Sequence, residues 1–102
     1  MIVEYIRYRV PVEQVDALIA AYRVAAESLR ASPHCLGYEL TRCSEAPEQL
    51  ILRIEWDSME GHLQGFRKSP EFGPFFKAIG PFVPNIEEMR HYEKTSLQWV
   101  RG

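Results

Sequence analysis

Leu50-Ile51-Leu52-Arg53-Ile54-Glu55-Trp56-Asp57-Ser58-Met59-Glu60-Gly61-His62-Leu63 carries two hydrophobic periods, and the change between them decides the architecture. Up to Trp56 the apolar residues alternate. Leu50, Leu52, Ile54 and Trp56 oppose Ile51, Arg53, Glu55 and Asp57, which is the period of a strand. Beyond it, Met59, His62, Leu63 and Phe66 fall three and four apart, the spacing of one helix face. Asp57 and Ser58 at the junction are good N-caps, and Glu60 stands three residues after Asp57 as in a capping box. A strand therefore passes directly into a helix that starts near Met59.

Working backwards, Leu36, Tyr38 and Leu40 alternate with Gly37, Glu39 and Thr41, and the polar turn Ser44-Glu45-Ala46-Pro47-Glu48 joins this run to the next as a hairpin. Before the hairpin, Val15, Leu18, Ile19, Tyr22, Ala26 and Leu29 make one apolar helical stripe between Val12 and about Ala31. Pro11 opens that helix and Ser32-Pro33 breaks it, because the residue before proline avoids helical backbone angles. Residues 2–10 alternate as a first strand. Working forwards, residues 69–85 hold four prolines and four phenylalanines, a mixture that suggests short helical turns laid over the core. A last strand covers about Ile86–Lys94, and the tail ends with Leu97, Trp99 and Val100.

The order β-α-β-β-α-β predicts an α+β, ferredoxin-like antiparallel sheet with two helices on one face. The expected helix-facing residues are Ile2, Ile6, Val10, Leu36, Leu40, Leu52, Ile54 and Trp56. The opposite face mixes Val3, Tyr5, Ile51 and Met89 with Arg7, Glu39, Arg53 and Glu55. It reads either as a solvated face with stray apolar side chains or as the contact of a face-to-face homodimer.

The chain has 102 residues, 46% of them apolar and 25% charged, so its length allows one domain. A formal net charge of −2 with no basic stripe argues against nucleic-acid binding. No apolar run approaches the ~18 residues of a membrane span. Two cysteines, Cys35 and Cys43, are too few for a stapled secreted scaffold, and a cytoplasmic setting is expected. No phosphate loop, dinucleotide fingerprint or nucleophile elbow is present.

The stretches Pro33–Leu40, Leu52-Arg53-Ile54-Glu55-Trp56-Asp57-Ser58, Glu60–Phe66 and Ser69-Pro70-Glu71-Phe72 resemble the antibiotic biosynthesis monooxygenase domain family. The resemblance runs over residues 1–93 and leaves 94–102 as a C-terminal tail, expected to pack on a partner subunit. It implies a dimeric α+β barrel. Some members oxidise phenolic or anthrone-like polyketides with molecular oxygen, without flavin, haem or metal; others degrade haem. Where the haem-degrading branch has a tryptophan and an iron-ligating histidine, this chain has Phe66 and Phe76 at or near those positions, and its first strand lacks that branch's asparagine.

His62 is the candidate catalytic residue, since an inward neutral imidazole can accept a phenol proton. The other reading is a core histidine with both nitrogens satisfied. Tyr38, Trp56, Phe66, Phe72 and Phe76 are the candidate substrate-binding residues, as aromatic walls for a flat molecule or as ordinary core. Gly61 and Gly65, costly inside a helix, either leave room for a ligand or allow close packing. Arg7, Arg53, Glu55, Arg90 and His91 read as charges for an anion or a dimer contact. The expectation is a cofactor-free, metal-free monooxygenase acting on a small hydrophobic or aromatic molecule. A non-enzymatic ligand-binding or accessory dimer is the alternative, and haem binding is a third.

Overall fold

The computed structural model describes residues 1–102. Strand β1 spans Ile2–Arg9 and helix α1 Val15–Ala31, entered through a 3-10 turn at Val12–Gln14. The hairpin follows as β2, Cys35–Arg42, and β3, Gln49–Trp56. A π-helical turn covers Gly61–Phe66, helix α2 Phe72–Ile79, a second 3-10 turn Gly80–Asn85, and strand β4 Ile86–Glu93. The sheet order is β2-β3-β1-β4, every neighbouring pair antiparallel. This is the expected α+β ferredoxin-like arrangement. β1 and β3, the alternating apolar strands, take the two central places. No helix is long and apolar enough to cross a membrane.

Local chemistry sets the boundaries. Pro11 has an extended backbone and its carbonyl accepts the Gln14 N–H at 2.8 Å, starting the turn into α1. Ser32 leaves the helix at ψ 125°, as the following proline requires. The core lies between the helices and one sheet face. It is built from Ile6, Tyr8 and Val10 of β1, Leu50, Leu52, Ile54 and Trp56 of β3, and Leu18, Tyr22 and Leu29 of α1. Phe66, Phe75 and Ile79 close it from the other side. Tyr8 and Tyr22 bury their hydroxyls as a hydrogen-bonded pair, 2.5 Å apart.

Four placements differ from the expectations. Met89 pairs with Ile6 and lies on the helix side, because β4 joins β1 in a register that puts Met89 and His91 beside Ile6 and Glu4. Leu36 is half exposed: an irregularity between Cys35 and Gly37 turns Cys35 toward the core in its place. Ile2 is only partly buried, at the end of its strand, and Glu4 takes the deeper position on that face. Met59 is exposed rather than inward.

That last difference has a cause in the backbone. Ser58 Oγ accepts the Gly61 N–H at 2.8 Å, so Ser58 is the working cap. The turn then widens. The Arg67 N–H reaches the His62 carbonyl, five residues back, at 3.0 Å. Such π-turns hold one extra residue and are frequent at functional sites. Here the turn buries Gly61, His62 and Phe66.

Gly61 and Gly65 admit a side chain of this same chain. A Cβ on Gly61 would collide with the Asp57 carboxylate and lie 2.9 Å from His34 Nδ1; one on Gly65 would lie 2.5 Å from His34 Nε2. The His34 ring lies against both glycines while its Nδ1 bonds Asp57 Oδ2 at 2.8 Å. Of the two readings, close packing describes these glycines. Gly65→Ala in a His34→Ala background should therefore be stabilising by about 1 kcal/mol, the helix preference of alanine over glycine. In the wild-type background that gain should be cancelled. Thermal melting of the double-mutant cycle checks it, and equal effects in both backgrounds would refute it.

Candidate functional site

A cavity of about 260 Å³ lies between the β1–β4 half of the sheet and the α2 side of the fold. Its walls are mostly aromatic: Trp56 from β3, Phe66 from the π-turn, and Phe72, Phe75 and Phe76 from α2. Phe66 meets Phe72 and Phe75 edge-on, with centroids 5.7 and 5.3 Å away. Ile86 and Met89 of β4 and Val83 complete the apolar lining. Tyr8 and Tyr22 line it too.

The polar end is narrow. Glu4, His62, Trp56 and Arg67 line the cavity, and His91 stands beside them on β4. The Glu4 carboxylate is almost fully buried, 2% exposed, in the middle of an apolar strand face. The Trp56 indole N–H donates to Glu4 Oε1 at 3.0 Å. The His62 imidazole stacks on the same indole, 4.4 Å between centroids and 11° from parallel. Its Nδ1 is 2.8 Å from His91 Nε2, so one nitrogen carries the proton and the other accepts it. His62 Nε2 faces Glu4 Oε1 at 3.6 Å, and His91 Nε2 faces Glu4 Oε2 at 3.9 Å.

Burial disfavours the charged form of each group. Burial pushes the His62 pKa down, helped by the nearby Arg67 charge and by His91, to about 3. Burial lowers His91 as well, with Arg67 adding to it. Burial raises Glu4; the Trp56 hydrogen bond and Arg67 oppose that rise. The polar end of the cavity thus brings together two imidazoles and a carboxyl group. Such groups can accept a proton, receive a hydrogen bond or ligate a cation.

Of the six residues singled out from sequence, the structure brings together His62, Trp56, Phe66, Phe72 and Phe76 around this cavity. Tyr38 lies elsewhere. It lines a larger, more open hollow of about 470 Å³ between α1 and β2, with Arg23, Arg30, Arg42 and Glu39. Sheet order explains the separation: β2 is the strand farthest from β4. The smaller cavity is the candidate site because it joins a buried carboxyl group and a buried imidazole to aromatic walls. Glu4 and Arg67 were not anticipated, and His91 was read as a charge for an anion or a dimer contact. One signal was available. Glu4 alternates with Ile2, Ile6 and Tyr8, which sets a carboxylate on the core face.

Comparison with known proteins agrees with the fold. The profile of the family described as antibiotic biosynthesis monooxygenase matches residues 1–78. The uncharacterised Bacillus subtilis protein YczJ is 26% identical over 73 residues, 72% of this chain and 77% of that protein. A crystal structure of a candidate antibiotic biosynthesis monooxygenase from Bordetella bronchiseptica is 25% identical, with a TM-score of 0.76, covering 92% of this chain and 96% of that one. A second, from Chloroflexus aurantiacus, shares the fold at 21% identity, TM-score 0.75, over 98% of each chain. With the family profile spanning residues 1–78, the chain belongs to the antibiotic biosynthesis monooxygenase family.

Proposed function

We propose that this chain is a monooxygenase that oxidises a small phenolic or polyketide-like aromatic with molecular oxygen, using no bound cofactor. The observation that carries the reading is geometric: the His62 imidazole stands in the wall of an aromatic cavity, and the Glu4 carboxylate, 3.6 Å from its Nε2, is placed to stabilise the imidazolium that forms when it takes a proton. Flat walls suit a flat substrate, and dry surroundings protect a reactive anion from water. Trp56 and the phenylalanines Phe66, Phe72 and Phe76 hold the rings; His62 takes the proton.

A hydroxyanthrone illustrates the balance. Loss of its proton to His62 leaves an electron-rich anion, which gives one electron to dioxygen. The two radicals join in a carbon–oxygen bond as a peroxide. The O–O bond then breaks with loss of the second hydrogen on that carbon. The carbon becomes a carbonyl, the other oxygen leaves as water, and the substrate supplies all four electrons. Oxygen uptake with a panel of hydroxyanthrones and hydroquinones tests this. Uptake with matching quinone formation is expected; a panel without substrate-dependent uptake would refute it.

The assembly belongs to the same reading. The sheet face turned away from the helices carries Tyr5, Ile51 and Tyr92 among Arg7, Arg53 and Glu55; Val3 on it is buried within the chain, whereas Ile51 and Tyr92 stand exposed, and no helix covers this face. Beyond β4, Leu97, Trp99 and Val100 stand exposed. A second copy packed face to face would cover both surfaces. Light scattering should show a dimer for the full chain. Truncation after Lys94 should weaken it at least tenfold without lowering the melting temperature of the isolated subunit. A monomeric full chain, or an unchanged dimer after truncation, would overturn the tail's role.

A further inference from the structure

Three side chains from three different elements converge at the polar end of the cavity: Glu4 from β1, His62 from the π-turn and His91 from β4. One ligand-type atom from each lies within 4.8 Å of the others. We propose that Glu4, His62 and His91 form a binding site for one divalent first-row transition-metal ion, open toward the aromatic cavity.

The donor set selects the class of ion. Two imidazoles and one carboxylate suit zinc, cobalt or iron(II), whereas magnesium and calcium favour oxygen donors alone. Metal–ligand bonds of ~2.1 Å place adjacent donors roughly 3–3.5 Å apart. The structure holds His62 Nδ1 and His91 Nε2 at 2.8 Å, and the carboxylate oxygens 3.6 and 3.9 Å from the two Nε2 atoms. An ion would take one His62 nitrogen, not both; with one donor atom from each residue the three lie within 4.8 Å of one another, and rotation of the rings and of the carboxylate would draw them in around it. The surroundings also match. The Trp56 N–H bonds one carboxylate oxygen, as second-layer donors do in metal sites. Three protein donors leave further coordination positions facing the cavity. Arg67 opposes the ion by charge, so Arg67→Gln should tighten binding.

This inference stands apart from the cofactor-free reading, because an ion on His62 would occupy the lone pair that a phenol proton needs. The probe is Co²⁺, titrated into metal-stripped full-length protein and followed by its visible absorption. One equivalent is expected to bind, about tenfold or more weakly in Glu4→Gln and in His91→Ala, with circular dichroism checking that both variants fold. Zn²⁺ added to wild-type protein should shift the ring-nitrogen NMR signals of His62 and His91 but not those of His34, which needs no variant. No binding, or binding that leaves those two rings unmoved, would overturn the site. Oxygen uptake separates the two readings. Uptake by stripped protein that Zn²⁺ abolishes supports both; uptake with no Co²⁺ binding refutes the metal site alone. Uptake that requires a metal supports the site and refutes cofactor-free turnover.

Discussion

Trp56→Ala should cost about 3–5 kcal/mol of stability, the range for emptying a large buried aromatic site. Trp56 is completely buried and touches both halves of the core. It stacks on His62, lies 5.1 Å from Phe66 and donates the hydrogen bond that Glu4 accepts. Truncation removes all three at once and leaves a buried carboxyl without its donor. Trp56→Phe separates the contributions. It keeps most of the apolar volume and loses the N–H, so it should cost about 1–3 kcal/mol, the penalty of an orphaned buried polar group. Urea denaturation measures both. A loss below about 2 kcal/mol for the alanine variant would mean that the cavity walls collapse onto the vacated space, and the aromatic box would not be rigid.

His62→Ala should reduce turnover by 10²–10⁴-fold, the typical contribution of a positioned general base. His34→Ala is the control, because His34 packs outside the cavity against Gly61 and Gly65. Its turnover should stay within about twofold of the wild type at saturating substrate, since it provides no group that meets substrate. Steady-state oxygen uptake measures both variants. Equal rates for His62→Ala and the wild type would remove the proton-accepting role while leaving the cavity's binding role open to direct measurement.

The fold was legible because periodicity reports which face of an element is buried. Leu50, Leu52, Ile54 and Trp56 alternate without a break, and all four are buried. The stripe Val15, Leu18, Tyr22, Ala26, Leu29 reads with equal clarity and is buried throughout. What failed depended on register. Met89 was assigned to the wrong face because strand pairing, not alternation alone, decides which parity looks inward. Leu36 was lost to a local irregularity that no pattern of apolar residues encodes. The site was half legible. His62 and four aromatic residues could be found from helix spacing and composition. Glu4 and His91 could not be joined to it, since their partnership exists only once β1 and β4 lie side by side. Tyr38 shows the reverse error: a residue near in pattern but placed by sheet order on the far side of the molecule.

The wide turn at Gly61–Phe66 makes the whole arrangement sensitive to chain length. Deleting a single residue from it would let the segment wind up as ordinary α-helix. Every side chain before the deletion would then swing by about 100° relative to those after it, the angular step of one helical residue. His62, before such a deletion, would turn relative to Phe72 and Phe75 of α2, after it, and the two parts of the cavity wall would lose their alignment. In this part of the sequence, an insertion or deletion of one position therefore matters more than most substitutions, and chain length between Ser58 and Arg67 becomes the quantity by which related proteins sharing this chemistry can be sorted.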